Sequence, residues 1–340
     1  MLRIKSVSNN FCKDIIYLKW RTFYMCNYNC PYCIQGAQKK KENFNGELFE
    51  QEKAKAFSMA EKIDAFLAKV NTEGKNVSLE IIGGEVTLLD LVALLDRIKD
   101  EHINYVSITT NGSKPVDYFY NVSEYLHSRN CTFSVTMSYH DTQTTFEEFI
   151  YKASQLNKFV DEFSCEYVSR KDNQKNVQKF IDALEERKID YKIEPDKTRN
   201  SLIERVKGEL IVTSNFTNRH KARYDVVFED DNGEETEKTY DCLAEMMNDK
   251  ENGNAVLCKA IVTKGLYCTE NYSYFYLLNN GNIRGGTIEN PSCMTETPIE
   301  DFVPLEKPLK CVAPNCTCCG CMSLYKNLPE EFNISNKEEC

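Results

Sequence analysis

Hydrophobic and polar positions over the first 200 residues switch repeatedly between two periods. Residues 15–24 form a β-branched and aromatic run, which predicts a strand. Residues 47–70 have helix-forming composition, with Ala56, Met59, Ile63, Phe66 and Leu67 near helical spacing. The alternation continues with a strand over 77–82, a short amphipathic helix over 88–98 and a strand over 104–109 that ends at Asn111-Gly112. Pro115 suits the first turn of a helix running to 129. A strand over 132–138 and a helix over 144–156 follow, the helix capped by Thr144 with Glu147 three residues on. The series closes with a strand over 163–168, a helix over 173–188 and a last strand over 190–194.

Short connections between alternating strands and helices predict an α/β fold whose parallel sheet is covered by helices. Ligands of such folds sit at the carboxyl ends of the strands. Chemistry-bearing residues fall at those ends: a cysteine triplet after the first strand, Gly83-Gly84-Glu85 after the second, Asn111-Gly112 after the third, and Ser138 and His140 at the fourth. After about residue 205 the pattern changes. Residues 224–228 and 237–240 flank an Asp-Asp-Asn-Gly turn, and 274–278 and Ile283 flank Asn279-Asn280-Gly281, two hairpin signals. Residues 242–249 suit a helix, and prolines break the chain from Pro298 onward. Two domains are expected, 1–205 and 206–340. The acidic run at 229–237 reads as a solvated hairpin tip.

Composition narrows the class. The 340 residues are 41% hydrophobic and 28% charged, which suits a folded chain with a substantial core. No apolar run is long enough to span a bilayer, and the first twenty residues lack the apolar centre of an export signal. A cytoplasmic protein without a membrane partner is expected. A net charge of −10 argues against a nucleic-acid partner. The sixteen cysteines are the anomaly. In a reducing compartment, clustered cysteines point to metal rather than disulfides.

Cys26, Cys30 and Cys33 form a CxxxCxxC with no fourth partner nearby. Three grouped thiolates suit a cubic iron–sulfur cluster with one iron left open, whereas zinc sites take four ligands. A zinc site completed from a distance and three structural thiols are the alternatives. The pair Gly83-Gly84 lets backbone approach a ligand closely, or makes a tight turn.

A strand leading into CxxxCxxC with Tyr32 before the last cysteine, Ile81-Ile82-Gly83-Gly84-Glu85 some fifty residues later, and then Thr109-Thr110-Asn111-Gly112 resemble the radical S-adenosylmethionine (SAM) enzymes. The resemblance covers roughly residues 14–200. It implies a partial (β/α)6 TIM barrel, a 4Fe–4S cluster held by Cys26, Cys30 and Cys33, and SAM chelated to the open iron. Reductive cleavage of SAM then gives a 5′-deoxyadenosyl radical that takes hydrogen from a substrate. By the same resemblance Tyr32 contacts the adenine region, Gly83, Gly84 and Glu85 bind the methionine amino group, and Asn111 and Ser138 are SAM contacts. His140 is a further candidate contact, with a surface loop histidine as the alternative. The proline usual after the glycine motif is Val86 here.

A second set, Cys311-x4-Cys316-x-Cys318-Cys319-x-Cys321, resembles the auxiliary-cluster extensions called SPASM and twitch domains. That resemblance implies one auxiliary 4Fe–4S cluster on Cys268, Cys311, Cys316 and Cys318, with Cys319 or Cys321 as substitutes for Cys318. The pattern departs where a cysteine should follow the hairpin glycine: Gly285 and Gly286 stand there, and the next cysteine is Cys293. Zinc is the alternative for this set. Cys242 and Cys258 are either buried thiols or, as in some peptide epimerases of the family, hydrogen-atom donors. Cys12, Cys131, Cys165 and Cys340 read as packing thiols.

No serine-nucleophile elbow, P-loop or dinucleotide motif appears. The expected function is radical SAM modification of a peptide by cross-link, epimerisation or oxidation. The alternatives are oxidation or rearrangement of a sugar or nucleoside, and a non-catalytic iron–sulfur redox sensor. An electron donor such as flavodoxin or ferredoxin is the implied partner.

Overall fold

The computed structural model describes residues 3–9, 15–33, 46–196, 210–211, 213–215, 224–240, 267–287, 292, 294–312 and 324–325. The chain divides into two compact units, one of residues 19–219 and 278–280, the other of 1–18, 220–277 and 281–340.

The chain begins with β1 (Arg3–Asn9), a strand of the second unit, and continues into β2 (Ile15–Arg21), which crosses the boundary between them. The first unit then alternates α1 (Glu47–Val70), β3 (Asn76–Ile82), α2 (Leu91–Leu95), β4 (Ile103–Thr110), α3 (Val116–His127), β5 (Thr132–Tyr139), α4 (Phe146–Leu156), β6 (Glu162–Ser169), α5 (Gln174–Glu186) and β7 (Asp190–Pro195). Strands β2 to β7 lie side by side in sequence order, and β3 through β7 pair in parallel. A short β8 (Thr213–Ser214) adds antiparallel to β7. This is the expected α/β architecture, a partial (β/α)6 barrel, with five of the helices among the described residues.

The apolar spacing read from the sequence sets the buried faces. Helix α1 buries Ala56, Ala60, Ile63, Phe66 and Leu67, so Ala60 takes the buried place expected of Met59. Two helix starts differ from expectation. The capping box of α4 uses Thr145 and Glu148, one residue later than the Thr144–Glu147 pair. The helix expected over 88–98 splits into a 3-10 turn at Val86–Leu88 and the short α2, because the Asp90 carboxylate accepts from Ala93 N at 3.1 Å and starts a new helix. Between strands and helices, Tyr139, Phe149, Tyr167 and Phe180 form an aromatic cluster, with Tyr139 stacked on Phe180 at 5.7 Å. The cluster fixes the ends of β5 and β6, where His140, Asp141 and Arg170 follow.

In the second unit the sheet order is β10 (Glu235–Tyr240), β9 (Tyr224–Glu229), β1, β16 (Leu324–Tyr325), β11 (Tyr267–Cys268) and β15 (Leu309–Lys310), every pair antiparallel. The β9–β10 hairpin matches the Asp-Asp-Asn-Gly signal, with Gly233 at φ +83°. Lys5 on β1 bridges Glu229 and Glu235 at 3.1 and 2.6 Å across that hairpin. The second expected hairpin is β12 (Tyr274–Leu277) with β13 (Asn282–Arg284), extended by β14 (Glu296–Pro298). The helix expected over 242–249 lies outside the described residues. No helix among the described residues is long and apolar enough to cross a membrane.

Candidate active site

A cavity of about 390 Å³ opens among the strand ends of the first unit. The loop after β2 brings Cys26, Cys30 and Cys33 to its rim, with Tyr28 and Tyr32 between them. Gly83 and Gly84 come from the end of β3, Asn111 from the end of β4, and Ser138 and His140 from the end of β5. Eight residues expected at the site from sequence (the three thiols, Tyr32, both glycines, Asn111 and Ser138) therefore line one space.

The glycines have a reason in the chain itself. Gly84 N donates to Phe23 O and Glu85 N to Met25 O, both at 2.8 Å, so the end of β3 runs tightly along the segment that delivers Cys26. A Cβ at Gly83 would stand 2.7 Å from Phe23 O, and one at Gly84 would fall on the Met25 carbonyl.

Glu85 is absent from the lining. It is fully buried, and both carboxylate oxygens are engaged by the protein. Oε1 accepts from Thr87 N at 3.0 Å, Thr87 Oγ1 at 2.5 Å and Thr110 Oγ1 at 2.7 Å, and Oε2 accepts from Asn111 N at 2.6 Å. Burial pushes this carboxyl above its ordinary value, against the pull of those four donors. The glutamate ties the end of β3 to the end of β4. Asn111, so pinned, donates through Nδ2 to Asn27 Oδ1 at 2.9 Å and to Cys26 Sγ at 3.7 Å. Tyr28 N also donates to Cys26 Sγ, at 3.3 Å.

The cysteine loop is held on its other side by the β5–α4 connection. Asn29 N donates to Gln143 Oε1 at 3.2 Å. The His140 ring stacks on Tyr32 at 5.9 Å and meets the Tyr28 ring edge-on at 5.8 Å. The Arg170 guanidinium lies 4.5 Å from the Tyr32 ring centroid, and its Nη2 donates to both Asp141 oxygens at 2.8 and 3.1 Å. Burial raises the Asp141 carboxyl, but Arg170 and the Tyr167 hydroxyl reverse the effect and leave it below its ordinary value. Burial lowers His140 to about 4, so the imidazole is neutral at pH 7. Burial pushes the Cys26 thiol up to about 11 and Cys30 to about 12.

Sequence reading missed Tyr28 and the charged floor of the cavity. Lys19 on β2 donates to both Glu80 oxygens on β3, at 2.7 and 2.8 Å. Lys192 on β7 pairs with Glu194 and lies 3.8 Å from Glu166, its register partner on β6. The available signal was charge at alternating positions of otherwise apolar strands.

Of the second cysteine set, Cys268 and Cys311 are described. Cys268 pairs with Leu309 across β11 and β15, and Cys311 stands two residues beyond Leu309. Cys316, Cys318, Cys319, Cys321, Cys242 and Cys258 lie outside the described residues. Cys131 and Cys165 are buried thiols, as expected.

No protein-family model matches the chain, and no curated protein matches it. Among solved structures the chain is similar to anSMEcpe with bound AdoMet and the Cp18Cys peptide, at 17% identity and TM-score 0.39, over 58% of this chain and 63% of that one. It thus spans less than two thirds of that protein. A structure of anSMEcpe with AdoMet matches at 15% identity and TM-score 0.44, over 87% and 77%. Streptococcus suis SuiB matches at 15% identity and TM-score 0.44, over 79% and 59%.

Proposed function

We propose that the protein is a radical SAM enzyme that modifies a peptide. The observation that carries this reading is the meeting of three thiols on one loop with Gly83-Gly84, Asn111 and Ser138 around one cavity. The donor set fits an iron–sulfur cube. Among the described residues no three His, Cys, Asp or Glu converge on a point where a single ion would sit. A four-iron cube places each thiolate on a different iron, so it needs three thiols around a rim rather than at a point. The N–H donors of Tyr28 and Asn111 already aim at Cys26 sulfur, the arrangement that tunes a bound thiolate.

In this reading Cys26, Cys30 and Cys33 hold a 4Fe–4S cluster, and SAM occupies the cavity beside Tyr32, Gly83, Gly84, Asn111 and Ser138. Those groups would supply, when bound and reduced by an external electron donor, a 5′-deoxyadenosyl radical able to abstract hydrogen from carbon. The chain's own residues position and exclude. Glu85 and Asn111 fix the cysteine loop from one side, and His140, Gln143 and Arg170 fix it from the other. Loading requires Cys26 and Cys30 to lose protons that burial holds tightly, so metal binding releases acid. In this reading Cys268 and Cys311 join Cys316 and Cys318 in holding one auxiliary cluster, and what supports it is that Cys311 directly follows β15, whose Leu309 pairs with Cys268. Cys242 and Cys258 remain the candidate hydrogen-atom donors.

Anaerobic reconstitution followed by electron paramagnetic resonance of the reduced protein tests the cofactor assignment. A four-iron signal that changes when SAM is added is expected. Zinc binding with no such signal contradicts it. The peptide assignment predicts a mass or stereochemical change in a co-produced peptide, dependent on SAM.

A further inference from the structure

The last residue pair between β4 and β5 is Thr110 with Met137, and the chain then turns out of the sheet through Asn111, Gly112 and Ser113. Gly112 makes that turn at φ +68°, so close to β5 that a Cβ there would stand 2.5 Å from the Met137 sulfur. One side chain from α4 meets the carbonyls of the turn. The half-buried Lys152 ammonium donates to Gly112 O and, at 2.8 Å, to Lys114 O. Burial lowers this lysine, and Glu148 and Glu85 oppose the effect. An ammonium taken from water is costly unless its donors are met, so the two carbonyls hold the lysine as it holds them.

Ser113 stands between those carbonyls, and its N–H donates to Asn111 Oδ1 at 2.9 Å. Glu85 holds the Asn111 main chain, whereas the Ser113 bond sets which way the side-chain amide faces. With Oδ1 turned to Ser113, Nδ2 is turned to Asn27 Oδ1 and Cys26 Sγ, 2.9 and 3.7 Å away. Behind this turn lies a second cavity of about 410 Å³, lined by Lys152, Gly112 and Ser113 among others. Tyr28 and Asn111 line both cavities and form the partition between them. The same two residues supply the N–H donors to the Cys26 sulfur. Lys152 backs that partition from the second cavity.

We propose that Lys152 is a positioning residue for the thiol loop: by bracketing Ser113 it orients the Asn111 amide, and through that amide it sets the hydrogen bonding of the Cys26 sulfur. The proposal rests on the reading of Cys26 as a cluster ligand. Hydrogen bonds to a ligating sulfur favour the more negative, reduced state of a cluster, so the lysine acts on reduction potential as well as on retention.

The test compares full-length wild type with Lys152→Met, Lys152→Arg, Asn111→Ala and the Lys152→Met/Asn111→Ala double variant, with fold checked by circular dichroism. In anaerobically reconstituted protein without SAM, Lys152→Met should hold its cluster about tenfold less tightly against an iron chelator. Its reduction potential should move downward and its electron paramagnetic resonance signal should change. Lys152→Arg, which keeps charge and donors, should recover most of the retention. In the Asn111→Ala background Lys152→Met should move the potential little, because the amide through which it acts is gone. A shift as large there as in the wild-type background means that the ammonium acts by charge alone, and overturns the proposal. So does a Lys152→Met protein that matches wild type in retention and potential. Should Lys152→Met not fold, Lys152→Gln takes its place. Hydrogen exchange of the metal-free chains reads the positioning without a cluster. Lys152→Met should speed exchange at residues 26–29 and 111–114 while leaving β6 and α5 unchanged, and unchanged exchange at 26–29 overturns the proposal. Faster exchange there, in a chain whose wild type takes up no four-iron cluster, overturns the radical SAM reading alone. A complete wild-type cluster beside unchanged exchange and potential in Lys152→Met overturns the positioning alone.

Discussion

Replacing Gly84 with alanine asks whether the glycine pair is required by the chain itself, before any ligand binds. The new Cβ falls on the Met25 carbonyl, with the Tyr24 carbonyl carbon 2.7 Å away. Both obstacles are backbone, so no side chain can turn aside. Relief comes only by parting the end of β3 from residues 22–25, which breaks the Gly84 N–Phe23 O and Glu85 N–Met25 O bonds. Two hydrogen bonds at about 1 kcal/mol each, with about 1–3 kcal/mol of overpacking, give a loss of about 3–5 kcal/mol. In a unit of this size that lowers Tm by roughly 6–20 °C. The assay is thermal unfolding of the metal-free full chain followed by circular dichroism. The control is Gly74→Ala in the same unit. Gly74 has φ +65°, and its nearest neighbour is the His102 ring at 3.3 Å, a side chain that can move. That change costs about 1–2 kcal/mol in backbone strain. A Gly84→Ala loss no larger than the Gly74→Ala loss refutes the reasoning, and the pair would then be read as serving a ligand alone.

Three other outcomes are expected. Cys268→Ala or Cys311→Ala should lower iron from about eight to about four per chain while leaving SAM cleavage measurable, and an unchanged iron count removes the auxiliary cluster. Arg170→Lys keeps the charge but loses the Nε bond to Asp172 and the planar guanidinium over Tyr32; stability should fall by about 1–2 kcal/mol and SAM should bind about tenfold more weakly, whereas unchanged SAM affinity would separate Arg170 from the positioning of Tyr32. His140, lowered to about 4 from 6.5, favours the neutral form in the folded state. Its stabilisation is present above pH 6.5 and is lost as pH falls through 4, a term of up to about 3 kcal/mol. His140→Gln should flatten that acid limb of a urea-denaturation profile, and an unaltered limb would contradict the burial of the imidazole.

The six strands of the barrel and their order were legible because apolar period and turn residues agree along residues 15–195. Boundaries moved where a side chain competed for a helix start, as Asp90 and Thr145 do. Strand β1 was missed because Arg3–Asn9 carries little apolar alternation and owes its place to pairing with β9, more than 200 residues away. The site residues were legible by motif, but their roles were less so. Nothing local in the sequence shows that Glu85 is tied to Thr87, Thr110 and Asn111, because Thr110 and Asn111 come from the next strand. The charged floor of the cavity was invisible for a related reason. Lys19, Glu80, Glu166 and Lys192 belong to different strands, and only the sheet register brings their charges together.

The central claim is that the three-thiol loop supports reductive SAM cleavage. Its most direct test is 5′-deoxyadenosine formation by the reduced, anaerobically reconstituted full chain, beside Cys30→Ala and with co-produced peptide supplied. The account predicts 5′-deoxyadenosine from the wild type and none above background from Cys30→Ala. A wild type that carries a complete four-iron cluster yet forms none, with or without peptide, would contradict it.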